Sequence, residues 1–156
     1  MNDVPQAVAD LTAAWLSRAL STRNEPVEVT AVQLLDAHSG TTGRALLQIE
    51  YNGHRSGPAT LFAKLPPDSP AQRRFVTETG MGVQEARFYA ELSTQVPVRV
   101  PRCYHASYSP SGERYAMLLE NLVASGCTFR NASTRYSMAY LRAVLASFAR
   151  LHAAFW

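Results

Sequence analysis

The sequence LFAKL at residues 61–65 is a short apolar run that carries Lys64, the only lysine in the chain. A run of this length, closed by the prolines that follow it, predicts a buried strand. An ammonium group in such a strand needs an anion nearby, because an unpaired buried charge is expensive. Glu85 follows on a predicted helix, where it can pair with Lys64 and direct the ammonium group at a ligand phosphate. The alternative is a lysine that reaches solvent beside a solvated glutamate.

Segments on both sides of this strand have alternating strand and helix patterns. β-Branched alternation and turn signals predict five strands, at 27–35, 44–51, 59–65, 102–108 and 114–120. Helical spacing of apolar residues predicts three helices, one ending near residue 20 and two spanning 71–96 and 137–156. Asp10 or Thr12 would cap the first helix, and Gly80 and Gly82 predict an irregular start to the second. This order predicts an α+β fold with a five-stranded, mostly antiparallel sheet.

Two segments beside the predicted strands carry candidate ligand-binding groups. The segment 36–43 has turn chemistry, and its glycines and threonines can cover phosphate groups with backbone N–H donors. The sequence MLLENL at 117–122 leaves the sheet for a polar connector, where freed backbone groups can bind a flat heterocycle. Each segment also has an ordinary interpretation, a hairpin loop for the first and an edge strand with its loop for the second.

The composition indicates one globular domain, or one lobe of a larger protein, in 156 residues of which 47% are hydrophobic. The net charge of +3 is too small to indicate nucleic-acid binding. There is no apolar run of about 18 residues and no leader pattern, so we expect neither a membrane span nor a secretion signal. The two cysteines are expected to be reduced thiols, which favours a cytoplasmic location.

The last part of the chain, residues 121–156, differs from the rest in charge. It contains four arginines and no Asp or Glu, so Glu120 is the last acidic residue. The arginines form either a phosphate-binding patch or, as we expect, a solvated helix face. The helix at 137–156 has an apolar stripe at i, i+3, i+4 spacing and stops without a capping signal. We therefore expect a fuller protein to continue beyond Trp156 and to cover this stripe.

The order of these features resembles the N-terminal lobe of the kinase-like fold. The Gly/Thr turn lies between the first two strands, Lys64 on the third, Glu85 on the next helix, and LLENL at the end of the fifth. More closely, the chain is similar to the aminoglycoside phosphotransferase / choline kinase-like (ecdysteroid kinase-like) family of small-molecule phosphotransferases. The resemblance spans about residue 11 to the end and includes EARFY at 85–89, VPRCY at 100–104 and LHAAFW at 151–156.

The resemblance implies a domain organisation and a set of ligand contacts. Residues 1–120 would form a nucleotide-binding lobe, 121–136 a hinge and connector, and 137–156 the first helix of a C-terminal lobe. The implied cofactor is ATP with Mg²⁺.

The resemblance also implies a role for each contact residue. Lys64 would contact the α- and β-phosphates, and Glu85 would hold Lys64. The Gly/Thr turn would cover the phosphates, and the backbone of Glu120 and Leu122 would face adenine. The implied nucleotide-binding residues are Gly40, Thr41, Thr42, Gly43, Lys64, Glu85, Glu120 and Leu122.

The chain departs from the family pattern after Glu120. The family places a catalytic Asp and Asn, and a second Asp that holds magnesium, beyond the hinge, and here no acidic residue follows. We expect the ATP-binding portion of a small-molecule phosphotransferase, inactive alone, with a missing C-terminal lobe or another partner on the 138–156 face. The alternative is a stand-alone, non-catalytic module that binds a nucleotide or a partner protein and uses the same face as an interface. Neither nucleic acid nor a membrane is expected as a partner.

Overall fold

The computed structural model describes residues 4–53, 57–131 and 133–156, and this part of the chain contains five strands and four α-helices. The strands are β1 (Val29–Ser39), β2 (Gly43–Tyr51), β3 (Thr60–Leu65), β4 (Cys103–Tyr108) and β5 (Tyr115–Glu120). The helices are α1 (Ala13–Leu20), α2 (Pro70–Thr79), α3 (Met81–Arg87) and α4 (Met138–Ala154). A 3₁₀ turn, Val8–Asp10, precedes α1, and a π-helical turn, Phe88–Leu92, continues α3.

The five strands form one sheet in the order β1-β2-β3-β5-β4, with antiparallel pairing between all neighbours. The helical segment lies between β3 and β4 in the chain, as predicted. The α+β fold and the five-stranded sheet that the sequence predicts are therefore confirmed, and the sheet is antiparallel throughout its described strands.

The strand register places two rows of side chains on one face of the sheet, about 7 Å apart because they are separated by two residues along each strand. The lysine row consists of His38, Arg44, Lys64 and Met117, each opposite the next on the neighbouring strand. The phenylalanine row consists of Asp36, Leu46, Phe62 and Leu119. The intervening residues point to the opposite face.

Helix α1 covers that opposite face. Its Leu16 is fully buried, and Trp15 packs beside it with its ring edge against His105 of β4. Thr12 is the N-cap, because its Oγ1 accepts a hydrogen bond from Trp15 N at 3.2 Å. The Asp10 carboxylate instead accepts from the N–H groups of Gln6 and Ala7, which lie just before the 3₁₀ turn. The main apolar core lies between α1 and β2, β3 and β5.

Helix α3 covers only part of the face that carries the two rows. It packs against β5 and β4, where Ala86 joins a second buried cluster with Met117 and Tyr115. The row residues on β1, β2 and β3 remain outside this cluster. On this face, the half of the sheet formed by β1, β2 and β3 is therefore uncovered, and an open space separates this uncovered half from the edge of α3.

The predicted boundary between β1 and the Gly/Thr turn is wrong. Residues 36–39 were expected in the turn, but β1 extends to Ser39, which pairs with Gly43. The pairing with β2 continues past an irregularity between Leu34 and Asp36, where the register shifts by one residue. The actual turn is only residues 40–42.

The prediction of one helix over 71–96 is also wrong. The helix is interrupted at Gly80, whose φ of +68° lies in the left-handed region. This glycine is the C-cap of α2 and the N-cap of α3. The helical conformation then ends at Leu92 in the π-helical turn. The break allows α3 to take its own direction across β5.

Helix α4 has no buried residue, and Leu145 and Met138 on its apolar stripe are 67% and 65% exposed. Its start agrees with the prediction, because Ser137 Oγ accepts a hydrogen bond from Tyr140 N at 3.1 Å. None of the helices in the described ranges is long and apolar enough to cross a membrane.

Candidate functional site

The centre of the site is an ion pair between β3 and α3. Lys64 Nζ lies 2.5 Å from Glu85 Oε1 and 2.6 Å from Oε2, so both carboxylate oxygens accept from the ammonium group. The side chains are 18% and 33% exposed, which leaves one side of the pair open to a ligand. Of the two interpretations that the sequence allowed for Lys64, the structure shows the paired one.

Gly82 allows α3 to approach the sheet closely enough for this pair to form. A Cβ atom at position 82 would lie 2.0 Å from Cε1 of Tyr115, well inside van der Waals contact. The Tyr115 ring is buried beneath the helix, and its hydroxyl has no hydrogen-bond partner. Since Gly82 lies one turn before Glu85, this contact sets the height of the Glu85 carboxylate above β3.

An open cleft of about 450 Å³ adjoins the ion pair, between the uncovered half of the sheet, the end of α3 and the segment that leaves β5. Its volume is in the range of small-molecule binding sites. Burial raises the pKa of Tyr89, on the helix side of the cleft, to about 12, so its hydroxyl remains protonated. The cleft is lined by Asp36, Arg44, Leu46, Phe62, Lys64, Glu85, Tyr89, Pro101, Leu119, Glu120, Asn121, Leu122, Val123 and Phe129.

The carboxylate of Glu120 fixes the start of the exit segment, which we define as residues 120–125. Its Oε1 accepts from Arg99 Nη2 at 2.7 Å and from Ser125 Oγ at 2.5 Å, while its Oε2 accepts from Arg102 N at 3.0 Å. The Arg102 N–H, then the Ser125 hydroxyl and the Arg99 guanidinium, lower the pKa of Glu120 to about 2. This side chain therefore joins β5, the exit segment and the start of β4.

Asn121 closes the exit segment into a turn. Its Oδ1 accepts from Val123 N at 3.1 Å, and its Nδ2 donates to Thr60 Oγ1 at 3.0 Å. The carbonyl of Leu122 accepts from Cys127 N at 2.9 Å. Within the part of the chain that the structure describes, the N–H of Leu122 has no hydrogen-bond partner, and Leu122 lines the cleft.

The structure divides the sequence-derived candidates into two groups. Lys64, Glu85, Glu120 and Leu122 all line the cleft. The other candidates, Gly40, Thr41 and Thr42 of the Gly/Thr turn and Gly43 at the start of β2, are not among those that line it. Gly43 is buried beside the Pro66 carbonyl, and the N–H of Gly40 donates to the Thr42 carbonyl at 3.1 Å.

Several lining residues were missed by the sequence reasoning, and the strand pattern contains the signal for some of them. Phe62 has the same parity as Lys64 on β3, so it must share its face. Arg44 and Leu46 follow from the register of the hairpin once the turn length is known. Asp36 was missed because the sequence pattern assigned it to the turn and not to β1.

The described residues contain no group of three or more His, Cys, Asp or Glu side chains that could hold a metal ion. The carboxylates of Glu85 and Glu120 are each committed to a cation, and Asp36 lies on another strand. These residues do not fit a Mg²⁺ site.

Comparison with known proteins identifies the family. The model of the ecdysteroid kinase-like family matches residues 39–155, which is most of the chain and includes the whole cleft except Asp36. No curated protein and no solved structure gave a match. The sheet order, the ion pair and this match agree, and they confirm the kinase-like N-terminal lobe and the phosphotransferase family expected from the sequence. The chain belongs to the ecdysteroid kinase-like family.

Proposed function

We propose that this chain is the ATP-binding portion of a phosphotransferase that moves the γ-phosphate of ATP onto a hydroxyl group of a small molecule. The observation that supports this most strongly is the order of groups along the cleft. Leu61 lies opposite Glu120 at the exit segment, and Lys64 is three residues further, about 10 Å along β3. Between these ends lie Leu46 and Phe62.

This order matches the order of groups in ATP. The adenine ring would lie at the exit segment, where Leu122 has an unpaired N–H and the neighbouring walls are apolar. The phosphates would extend toward Lys64, whose ammonium group would bind the α- and β-phosphate oxygens while Glu85 holds its position. ATP itself supplies the phosphoryl group that is transferred.

We propose that the chain binds ATP but does not transfer phosphate by itself. A phosphotransferase needs a carboxylate that accepts the proton of the attacking hydroxyl and another that holds magnesium. Residues 121–156 contain no carboxylate side chain, and those of the cleft do not fit a metal site. A second lobe would supply these groups and the acceptor site. A cytoplasmic location fits this proposal, because ATP is present there and both Cys103 and Cys127 are free thiols.

Titration calorimetry with ATP tests the proposal. We expect Lys64→Ala to weaken ATP binding by about tenfold to a hundredfold, because one charge-assisted hydrogen bond contributes about 1.5–3 kcal/mol. The matched control is Arg114→Ala, which removes one exposed positive charge at the β4–β5 hairpin that does not line the cleft. Equal ATP affinity in wild type and Lys64→Ala would contradict the proposed site.

The single lysine allows an independent measurement on the unchanged chain. An amine-reactive ATP analogue should modify Lys64, and unlabelled ATP should protect it, with peptide mass mapping separating this adduct from one at the N-terminal amine. Labelling of Lys64 that ATP does not reduce would argue against a nucleotide cleft. Measurable ATP-dependent phosphorylation of any acceptor by the purified chain would refute the proposed inactivity.

The exposed stripe of α4 favours a second candidate, a stand-alone module that binds a nucleotide or a partner protein through this helix. Phe148 is 56% exposed and lies on the same stripe as Leu145. Sedimentation over a range of concentrations tests self-association. A dimer that Leu145→Glu dissociates, while the neighbouring charge control Arg142→Glu does not, would favour this candidate. A monomer at every concentration would count against the homodimer.

A further inference from the structure

Two cations lie directly opposite each other at one end of the cleft. Arg44 of β2 and Lys64 of β3 are cross-strand partners in the lysine row, and both line the cleft. Like charges in directly opposed positions of a sheet repel each other and destabilise the pair. Arg44 is exposed, and an anion bound between the two cations would relieve their repulsion.

The anion of Lys64 is in the protein, but that of Arg44 is not. Glu85 receives both of its short contacts from Lys64. Among the described residues Arg44 has no ion pair, and the one hydrogen bond of its side chain is a long one, 3.4 Å from Nε to Thr42 Oγ1. Its neighbours across the two strand pairings are His38 and Lys64, neither of which is an acid.

The other carboxylates that line the cleft do not neutralise Arg44. Glu120 is bound to Arg99 at the far end of the cleft. Asp36 belongs to the phenylalanine row, where it lies opposite Leu46, and it forms no ion pair in the part of the chain that the structure describes. The end of the cleft at Arg44 and Lys64 thus carries one positive charge more than its protein partners balance.

We propose that Arg44 is a second phosphate-binding residue, which holds the phosphate chain of the nucleotide together with Lys64. This inference rests on the proposed function, and it identifies a contact beyond those implied by the resemblance. A guanidinium group presents a planar fork of donors that matches two phosphate oxygens, whereas an ammonium group acts as a point charge. The side chain of Arg44, which follows the Gly/Thr turn, would thereby bind the phosphates that the turn backbone was expected to cover.

The test compares three ligands that contain different parts of ATP. Titrations with ATP, adenosine and inorganic tripolyphosphate are made on wild type, Arg44→Ala, Arg44→Lys and the control Arg114→Ala. Arg44→Ala should weaken the binding of ATP and of tripolyphosphate by about tenfold and leave the affinity for adenosine unchanged, because only the first two ligands have a phosphate chain. Arg44→Lys should keep part of the affinity, and Arg114→Ala all of it. Thermal melting verifies that each variant is folded.

The outcomes separate this inference from the proposed function. The inference is overturned, while ATP binding stands, if Arg44→Ala binds ATP and tripolyphosphate as tightly as wild type does. The same holds if the substitution weakens adenosine binding as much as ATP binding. If the wild-type chain binds tripolyphosphate but not ATP, and Arg44→Ala no longer binds tripolyphosphate, the proposed function fails and the anion site remains. A wild-type chain that binds neither overturns both.

Discussion

The substitution Gly82→Ala tests the packing on which the cleft depends. The added methyl group would lie 2.0 Å from Cε1 and 2.4 Å from Cζ of Tyr115. Carbon atoms in contact are separated by about 3.5–4.0 Å, so the helix or the ring must move by about 1.5 Å. The ring is buried between α3 and the sheet, so we expect the helix to move outward.

Two opposing effects set the magnitude. Overpacking of this kind costs about 1–3 kcal/mol, and the geometry places Gly82→Ala at the upper end. Alanine in a helix recovers about 0.5–1 kcal/mol relative to glycine. We expect a net loss of about 2 kcal/mol in the free energy of unfolding, which lowers the melting temperature by about 4–8 °C. ATP affinity should fall as well, because the movement takes Glu85 away from Lys64.

A double-mutant cycle provides the assay. Urea denaturation of wild type, Gly82→Ala, Tyr115→Leu and the double variant measures the coupling between the two positions. Tyr115→Leu removes the ring atoms that the methyl group would strike. Gly82→Ala should therefore be neutral or stabilising in the Tyr115→Leu background. If Gly82→Ala destabilises both backgrounds equally, the contact with Tyr115 does not explain the glycine and the reasoning is refuted.

Two further predictions concern polar groups next to the cleft. Tyr115→Phe removes a buried hydroxyl that has no partner, so we expect the free energy of unfolding to rise by about 1 kcal/mol in urea denaturation, and a loss would show that the hydroxyl is satisfied. For Glu120, the folded-state pKa of about 2 lies below the ordinary 4.5, so its stabilising contribution is present above about pH 4.5 and is lost as the pH falls toward 2. The difference in unfolding free energy between wild type and Glu120→Gln should accordingly shrink over this window, whereas a difference that does not vary with pH would contradict the network around Glu120.

The sequence was sufficient for the elements whose pattern is local. The β-branched alternation of β2 and the apolar run of β3 determine both strands within a residue or two. An ion pair between Lys64 and Glu85 could be anticipated because a charge in an apolar strand requires a partner. The antiparallel sheet followed from the two hairpins, in which short turns join consecutive strands.

The misses come from non-local interactions. Residues 36–39 have turn composition, but pairing with β2 keeps them in the strand, so Asp36 could not be placed in the cleft. Gly80 and Gly82 look alike in the sequence. One ends a helix with a positive φ, and the other makes room for Tyr115, and only the packed structure separates these roles. The helix direction, and thus the cleft itself, depends on both.

The charges in the cleft support the proposal that this chain binds ATP but does not transfer phosphate by itself. A general base needs a free carboxylate within hydrogen-bond reach of the attacking hydroxyl, next to the phosphate that is transferred. Glu85 is held by Lys64, and Glu120 is held by Arg99, Ser125 and the Arg102 N–H. Asp36 is level with Phe62, about 7 Å nearer the exit segment than the two cations. Carboxylates that are already paired strengthen a binding site, because they fix the cations and the backbone that meet the ligand. Under the proposed function, the proton acceptor would therefore come from outside the described cleft, so that this lobe would bind ATP and a second lobe would carry out the chemical step.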